Sequence, residues 1–120
     1  MKRILVIDDS PLVRSALRAC LRAEGYDVLE ADDGAAGLET ITREGSSLDL
    51  AIVDVNMPEL DGLSMIEQAR QAGFVAPMIT LTTESSRNLR DRARAVGATG
   101  WLTKPVDAPD LVATVRYLLG

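Results

Sequence analysis

Histidine is absent from this 120-residue chain. Its absence excludes Ser-His-Asp and Cys-His catalysis, the usual zinc sites and a role as a carrier of phosphohistidine. The chemistry open to the chain therefore rests on carboxylates, hydroxyls, a lysine and a hard metal ion.

Cysteine is nearly absent as well, since the chain has a single one, Cys20. Neither an internal disulfide nor a cluster of thiolate metal ligands can form. Apolar residues surround Cys20 at helical spacing, namely Val13, Ala16, Leu17 and Leu21. This spacing predicts a small buried core residue rather than a reactive thiol.

Long apolar runs are also missing, because none approaches the roughly 20 residues that cross a bilayer. The chain opens on Met1-Lys2-Arg3 and passes directly into a four-residue apolar run, so we expect no signal peptide. We expect a soluble, cytoplasmic protein that binds no membrane. The net charge of −5 argues against nonspecific binding of nucleic acid. The apolar fraction of 47% excludes a disordered chain.

Short β-rich runs alternate five times with amphipathic stretches of helical spacing. The predicted strands span residues 3–7, 27–31, 50–54, 78–82 and 100–103. The predicted helices span residues 11–24, 34–44, 63–72, 86–96 and 109–119. This alternation predicts an α/β fold of (βα)5 type, a doubly wound sheet of five parallel strands in the flavodoxin-like order 2-1-3-4-5.

The ends of the predicted helices carry capping signals. Ser10 precedes Pro11, a sequence typical of a capped helix start. Four glycines each follow a helical pattern, and we expect a left-handed residue at each of them: Gly25, Gly45, Gly73 and Gly97. No linker interrupts the pattern, so we expect residues 1–120 to form one domain without an output domain. Its output would then be a contact with another protein.

Four charged residues lie where predicted strands end. Asp8 and Asp9 follow the first strand, Asp54 ends the third, and Lys104 follows the fifth. Because the carboxyl ends of parallel strands lie along one edge of a sheet, we expect these side chains to meet in one pocket. Each aspartate taken alone is equally consistent with a loop, a cap or a solvated surface.

A cluster of three aspartates requires a compensating cation. Two like charges about 4 Å apart repel by roughly 4 kcal/mol at an effective dielectric constant near 20. Mg²⁺ is the predicted ion, because it is commonly held by one or two carboxylates and keeps waters for a phosphate partner. Ca²⁺ is disfavoured, since the chain lacks the spaced acidic loop that binds it. Lys104 opposite the acids suits a phosphoryl group, with a salt-bridged surface lysine as the alternative, and Thr82 at the end of the fourth strand offers a hydroxyl.

Motifs at four strand ends form a set: Asp8-Asp9, Asp54 with Asn56-Met57-Pro58 and Asp61-Gly62, Thr82-Thr83-Glu84, and Lys104-Pro105. This set resembles the receiver domains of bacterial two-component response regulators. The resemblance covers the whole chain. Among receivers, the chain most resembles the single-domain chemotaxis regulators of the CheY type.

The resemblance implies a role for each charged residue. Asp54 would accept a phosphoryl group from the phosphohistidine of a sensor histidine kinase. Asp9, Asp54 and the backbone carbonyl of Asn56 would hold Mg²⁺, with Asp8 acting through water. Lys104 would pair with the phosphoryl oxygens.

The resemblance also implies a switch. Thr82 would turn to hydrogen-bond the phosphoryl group, and Asn56 and Glu84 would tune its hydrolysis. Pro105 would follow a cis peptide bond. Trp101 occupies the position where receivers usually carry Tyr or Phe, and its bulk argues against full inward rotation. A partly buried strand aromatic is the alternative for Trp101.

The fourth predicted helix is rich in cations: Arg87, Arg90, Arg92 and Arg94. A solvated charged face is one interpretation. The resemblance implies another, in which this helix, the fifth strand and the fifth helix bind a downstream protein, such as a flagellar motor switch protein. We expect the chain to be a monomer.

Two further classes of function stay open. A small phosphatase with an aspartyl nucleophile would use the same residue types, but such enzymes generally need a second acid where this chain has Asn56. A binding module that ignores phosphate is the other alternative. Within the signalling class, a phosphorelay intermediate or a phosphate sink competes with motor control. We expect no enzyme activity beyond phosphoryl acceptance and autodephosphorylation.

Overall fold

The computed structural model of the chain describes residues 1–84 and 86–120. Five strands form its sheet: β1 (Arg3–Ile7), β2 (Asp27–Ala31), β3 (Leu50–Asp54), β4 (Met78–Thr82) and β5 (Gly100–Thr103). All neighbouring strands are parallel, and their order is β2-β1-β3-β4-β5. The predicted flavodoxin-like (βα)5 fold is confirmed, and each predicted strand range equals the observed one.

Five helices connect the strands: α1 (Pro11–Ala23), α2 (Gly34–Glu44), α3 (Gly62–Gln71), α4 (Arg87–Val96) and α5 (Ala108–Leu119). No predicted helix end differs from the observed one by more than one residue. Within residues 1–84 and 86–120, no helix has the length and apolar character to span a bilayer. The cytoplasmic location stays a prediction.

Capping side chains account for the small differences at two helix starts. Ser86 was predicted as the first residue of α4, but its Oγ accepts a hydrogen bond from the Leu89 N–H at 3.2 Å, so it caps the helix from outside. Asp107 accepts a hydrogen bond from the Asp110 N–H at 3.1 Å. Because this cap precedes Ala108, α5 begins there, one residue before its predicted start.

The end of α2 departs from its prediction. All four helix-ending glycines have positive φ as expected: Gly25, Gly45, Gly73 and Gly97. Gly45, with φ 50° and ψ −123°, nevertheless lies outside the left-handed helical region because of its ψ. The chain continues there into a 3₁₀ turn over Gly45–Ser47. Arg3 donates hydrogen bonds to Glu44 and to the Ser47 hydroxyl from a distant segment, which holds this turn.

Helices cover both faces of the sheet, which explains why β1 and β3 are apolar without alternation. One face packs against α1 and α5 through Leu17, Leu21, Leu111 and Val115. The other face packs against α2 and α3 through Ile41, Met65, Ile66 and Ala69. Cys20 packs against the first of these clusters but is only half-buried, so it lies at the margin of the core rather than inside it.

A glycine brings the start of α3 against the end of β3. A Cβ atom at Gly62 would lie 2.2 Å from the carbonyl oxygen of Asp54, closer than nonbonded atoms approach. The Gly62 N–H donates to the carbonyl of Val55 at 3.1 Å. Asp61 caps α3 by accepting a hydrogen bond from the Ser64 N–H at 2.9 Å. The Asp61-Gly62 pair therefore fixes the backbone that carries Asp54.

We expect Gly62→Ala to lower the free energy of unfolding by about 1–3 kcal/mol, because the added methyl group must displace backbone atoms. Gly100→Ala is the matched control, since a Cβ atom there would meet its nearest neighbour, on Ile79, at an ordinary 3.5 Å. Urea unfolding of both variants measures the difference. An equal loss of stability in the two would contradict the close approach at Gly62.

Candidate functional site

Three aspartates converge at the carboxyl edge of the sheet. Each of Asp8, Asp9 and Asp54 offers a carboxylate oxygen within 4.8 Å of the other two. They meet because β1 and β3 are adjacent and in register, with Ile7 beside Val53. Asp8 is 0% exposed and Asp54 2% exposed, whereas Asp9 is exposed. The predicted meeting of these acids in one pocket is confirmed.

Lys104 joins the two buried acids. Its Nζ lies 2.9 Å from Asp8 Oδ2 and 3.2 Å from Asp54 Oδ1. The contact with Asp8 Oδ2 has the geometry of an ion pair rather than of a directed hydrogen bond. The Lys104 N–H donates to the Thr82 carbonyl at 2.7 Å, and a cis peptide bond precedes Pro105 as predicted. The lysine therefore belongs to the pocket and is not a surface residue.

The pKa of Asp54 reflects its lack of water. Burial raises the pKa of this carboxyl to about 6, and the charge of Asp8 contributes in the same direction. Lys104 and the Asn56 N–H offset part of that rise. Burial alone would lower the pKa of Lys104, but attraction to Asp8 and Asp54 outweighs it and raises that pKa. Negative charge in the pocket is thus only partly compensated.

Backbone donors orient the two buried carboxylates. Asp8 Oδ1 accepts a hydrogen bond from the Ser10 N–H at 2.8 Å, and Asp54 Oδ1 accepts one from the Asn56 N–H at 3.2 Å. Each acid is therefore fixed by the peptide two residues further on, at the point where the chain leaves its strand. The role of the Asn56 carbonyl as a metal ligand stays a prediction.

These residues fit a hard divalent cation. Mg²⁺ binds oxygen ligands at about 2.0–2.1 Å, so oxygens on opposite sides of one ion are about 4.2 Å apart. The carboxylate oxygens of Asp8, Asp9 and Asp54 lie within 4.8 Å of one another, close to that spacing. The ligand set is entirely oxygen, and one lysine faces three carboxylates. Both features favour Mg²⁺ over a softer metal.

Thr82 lies fully buried at the end of β4. Its Oγ1 accepts a hydrogen bond from the Glu84 N–H at 3.0 Å. The hydroxyl is thereby tied to the following loop, an arrangement that the sequence did not predict. Glu84 itself is exposed. Rotation of the Thr82 hydroxyl toward a ligand in the pocket requires the loss of this contact.

Trp101 is half-buried on β5, on the side of the sheet that faces α4. Its ring packs with Ala93, and the Arg90 guanidinium lies 5.7 Å from the ring centroid, within cation–π range. The indole Nε1 is buried and has no hydrogen-bond partner within the described part of the chain. The ring is therefore held between the core and the surface.

The arginines of α4 are exposed, and none of them takes part in an ion pair between described residues. Arg90 and Arg94 line a cleft of about 280 Å³ beside β5, together with Trp101. This cationic face contrasts with the net charge of −5 that the chain carries as a whole.

Sequence reasoning missed three features that shape the pocket. Ser10 was predicted only as a helix cap, yet its N–H orients Asp8. The close approach of Gly62 to the Asp54 carbonyl had no signal beyond the Asp61-Gly62 motif. Glu59, in the loop between β3 and α3, has a φ of 66°, which is uncommon for a residue other than glycine. Glutamate carries no preference that would have indicated this conformation.

Residues 4–116 match the protein family described as the response regulator receiver domain. This chain belongs to that family. Response regulator MprA of Mycobacterium leprae is 39% identical over 117 residues, which are 98% of this receiver and 50% of the relative. A transcriptional regulatory protein of Streptococcus agalactiae, DltR, is 36% identical, over 95% of this receiver and 50% of the relative. The receiver spans about half the length of the curated relatives it matches.

Solved receiver structures have the same fold. Chemotaxis protein CheY4 of Vibrio cholerae superposes with a TM-score of 0.93 and is 35% identical, over 99% of both chains. A response regulator receiver domain protein from Clostridium thermocellum gives a TM-score of 0.92 at 29% identity, over 99% of this receiver and 94% of that chain. The predicted resemblance to receiver domains, and to the CheY type of fold, is confirmed. That residues 1–120 lack an output domain stays a prediction.

We expect the metal-free receiver to lose stability as the pH rises from about 4 to about 6.5. The pKa of Asp54 is raised from 3.8 to about 6, so the folded state holds this proton more tightly than the unfolded chain does. The resulting stabilisation is present below pH 3.8 and is lost as the pH rises through about 6. Urea unfolding in EDTA measures the loss, which should be about 3 kcal/mol.

Asp54→Asn is the matched control for this pH dependence, because it removes the titrating carboxyl and keeps the shape of the side chain. The free energy of unfolding of the variant, relative to that of wild type, should rise by the same amount between pH 4 and pH 7. A difference that stays constant over this range would contradict the raised pKa.

Proposed function

We propose that this receiver is a phosphorylation-activated signalling switch, in which Asp54 accepts a phosphoryl group from the phosphohistidine of a sensor histidine kinase. One observation carries the proposal. Asp54 lies buried at the end of β3, 3.2 Å from the Lys104 ammonium and within 4.8 Å of the other two acids. A nucleophile, a cation site and a charge partner for a phosphoryl group thus meet at one point.

The reaction requires an ionised Asp54. With a pKa of about 6, this carboxyl is mostly deprotonated at pH 7. Its Oδ1 receives both Lys104 and the Asn56 N–H, which leaves Oδ2 as the attacking oxygen. The new bond joins Oδ2 to phosphorus, the bond from phosphorus to the histidine nitrogen breaks, and that nitrogen keeps the electron pair. The Lys104 ammonium then forms an ion pair with the phosphoryl oxygens, which carry the negative charge after transfer.

Asp9, Asp54 and the carbonyl of Asn56 would hold Mg²⁺, with Asp8 acting through water. When bound, the ion neutralises charge on the carboxylates and on the phosphoryl oxygens, which would otherwise repel each other. The burial of Asp8 supports its indirect role, because its Oδ1 is already used by the Ser10 N–H and its Oδ2 by Lys104.

Phosphorylation would act on Thr82 and then on the surface. The new phosphoryl oxygens accept a hydrogen bond from the Thr82 O–H, and Thr82 gives up its contact with the Glu84 N–H as it turns toward Asp54. Trp101 and the arginines of α4 lie on the same side of the sheet, and α5 follows β5 directly. We propose that α4, β5 and α5 together bind the downstream protein.

The phosphatase alternative lacks its second acid. Asn56 stands two residues after Asp54, and its backbone N–H already bonds the nucleophile. Asn56 is also exposed, and an amide cannot act as a general acid or base there. We therefore propose self-directed chemistry alone: phosphoryl acceptance followed by autodephosphorylation, tuned by Asn56 and Glu84.

Two target classes follow from the relatives. The likeness to chemotaxis protein CheY4 over 99% of both chains supports a role in chemotaxis, in which a flagellar motor switch protein would be the partner. The likeness to one half of DltR, a transcriptional regulatory protein, supports control of transcription. We propose the chemotaxis role, in a cytoplasmic monomer, with a phosphate sink or a phosphorelay intermediate as alternatives within the same class.

Incubation with acetyl phosphate and Mg²⁺ should add one phosphoryl group to the protein, and EDTA should prevent this addition. Intact-mass spectrometry measures the adduct. Asp54→Asn should abolish it, whereas Asp91→Asn, which removes an exposed acid from α4, should leave it unchanged. An adduct that persists in Asp54→Asn would refute the assigned acceptor, and repeated turnover of phosphate esters would instead support the phosphatase.

Phosphorylation should tighten binding to a purified flagellar motor switch protein by at least about tenfold, a coupling of about 1.4 kcal/mol. Arg90→Ala should weaken the complex, because it removes a cation beside Trp101, while Arg92→Ala is the control outside the cleft. Calorimetric titration measures both effects. Equal affinity of wild type and Asp54→Asn would favour a phosphorylation-independent binding module, and phosphorylation without motor binding would favour a sink or a relay.

A further inference from the structure

The backbone carbonyl of Asp8 has a partner outside the sheet. Arg14, one turn into α1, donates a hydrogen bond from its guanidinium to this carbonyl at 2.6 Å. The carbonyl belongs to the peptide that links Asp8 to Asp9. Since a peptide unit is planar, fixing its oxygen also fixes the direction in which the chain enters Asp9.

Asp9 depends on this peptide more than its neighbour does. The Asp8 N–H donates to the Ala31 carbonyl at 3.2 Å, and the Asp8 carboxylate contacts the Ser10 N–H and Lys104. Asp8 is thus held on every side. The side chain of Asp9 is exposed and makes no hydrogen bond to another described residue, so its direction is set by its backbone alone.

Arg14 is itself held in place. Its Nε lies 3.4 Å from Glu30 Oε1 on β2, while the other oxygen of Glu30 pairs with Arg18. The Arg14 side chain is only 17% exposed. Glu30 is shared by Arg14 and Arg18, so it offsets the positive charge of Arg14 only in part. The contribution of Arg14 is geometric, because one planar guanidinium spans Glu30 and the Asp8 carbonyl.

We infer that Arg14 is a positioning residue, which fixes the peptide between Asp8 and Asp9 and thereby aims Asp9 at the cation beside Asp54. Glu30 supports it from the neighbouring strand. The inference rests on the Mg²⁺ site of the proposed function. It goes beyond that function, because it assigns the orientation of a metal ligand, Asp9, to a residue that touches neither the metal nor the phosphoryl group.

Mg²⁺ titration by calorimetry tests this role without any phosphoryl donor. Arg14→Met should raise the dissociation constant for Mg²⁺ by about tenfold or more, as expected when a residue that orients a metal ligand is lost. Arg18→Met is the matched control, since Arg18 pairs with the same Glu30 but does not contact Asp8; its dissociation constant should stay within about twofold of wild type. An equal rise in both variants would overturn the inference.

Arg14→Lys separates geometry from charge. A lysine keeps the cation but cannot reach Glu30 and the Asp8 carbonyl together, so it should still bind Mg²⁺ several-fold more weakly than wild type. Full recovery in Arg14→Lys would show that charge alone matters and would overturn the geometric role. If Arg14→Met does not fold, Arg14→Lys and Glu30→Gln carry the test, and normal Mg²⁺ affinity in both would overturn it.

Phosphorylation at saturating Mg²⁺ provides a second readout. Because Arg14 does not touch the phosphoryl group, excess Mg²⁺ should return the rate of Arg14→Met to within about threefold of wild type. A rate that stays low at saturation would contradict a role through the metal. A wild-type protein that binds Mg²⁺ but accepts no phosphoryl group would overturn the proposed function alone, whereas one that binds no Mg²⁺ would overturn both.

Discussion

One ammonium group holds together carboxylates that the fold has removed from water. Asp8 and Asp54 are buried at the end of adjacent strands, and Lys104 reaches both from the far edge of the sheet. These two ion pairs connect the end of β5 to the ends of β1 and β3 at the carboxyl edge of the sheet. They also leave the site short of positive charge, because one ammonium group lies among three carboxylates. The burial of the apolar strand residues offsets the free-energy cost of burying these charged groups.

The fold was predictable from the sequence because local and global signals agree. Ile4 to Ile7 and Leu50 to Val53 are apolar without alternation, as only strands covered on both faces can be. The convergence of Asp8, Asp9, Asp54 and Lys104 then followed from topology alone, since parallel strands end along one edge. Predicted helix ends differ from the observed ones by at most one residue, and at the starts of α4 and α5 the difference arises because Ser86 and Asp107 cap the helices from outside.

The features that the sequence did not predict depend on contacts between distant segments. Neither segment alone carries a sequence pattern that indicates such a contact. Gly45 begins a 3₁₀ turn, which Arg3 on β1 holds by donating hydrogen bonds to Glu44 before it and to Ser47 at its end. Thr82 is tied to Glu84, and the Trp101 indole lies beneath Arg90, for reasons of packing rather than of motif. The contact of Arg14 with the Asp8 carbonyl joins a helix to the peptide that precedes it. The spacing of apolar residues along the chain predicts which faces of the helices and strands are buried. It does not predict which polar atoms form hydrogen bonds with each other.

β5 is one of the two edge strands of the sheet, and its short length has a mechanical consequence. Only two residues separate Trp101 on the outer side from Lys104 in the pocket. The backbone path from the lysine to the indole is therefore short and does not pass through the core. Moving β5 requires breaking only a few hydrogen bonds to β4, such as the one from the Lys104 N–H to the Thr82 carbonyl. Because β5 pairs with β4 alone, moving it breaks fewer hydrogen bonds than moving a strand inside the sheet, which pairs on both sides.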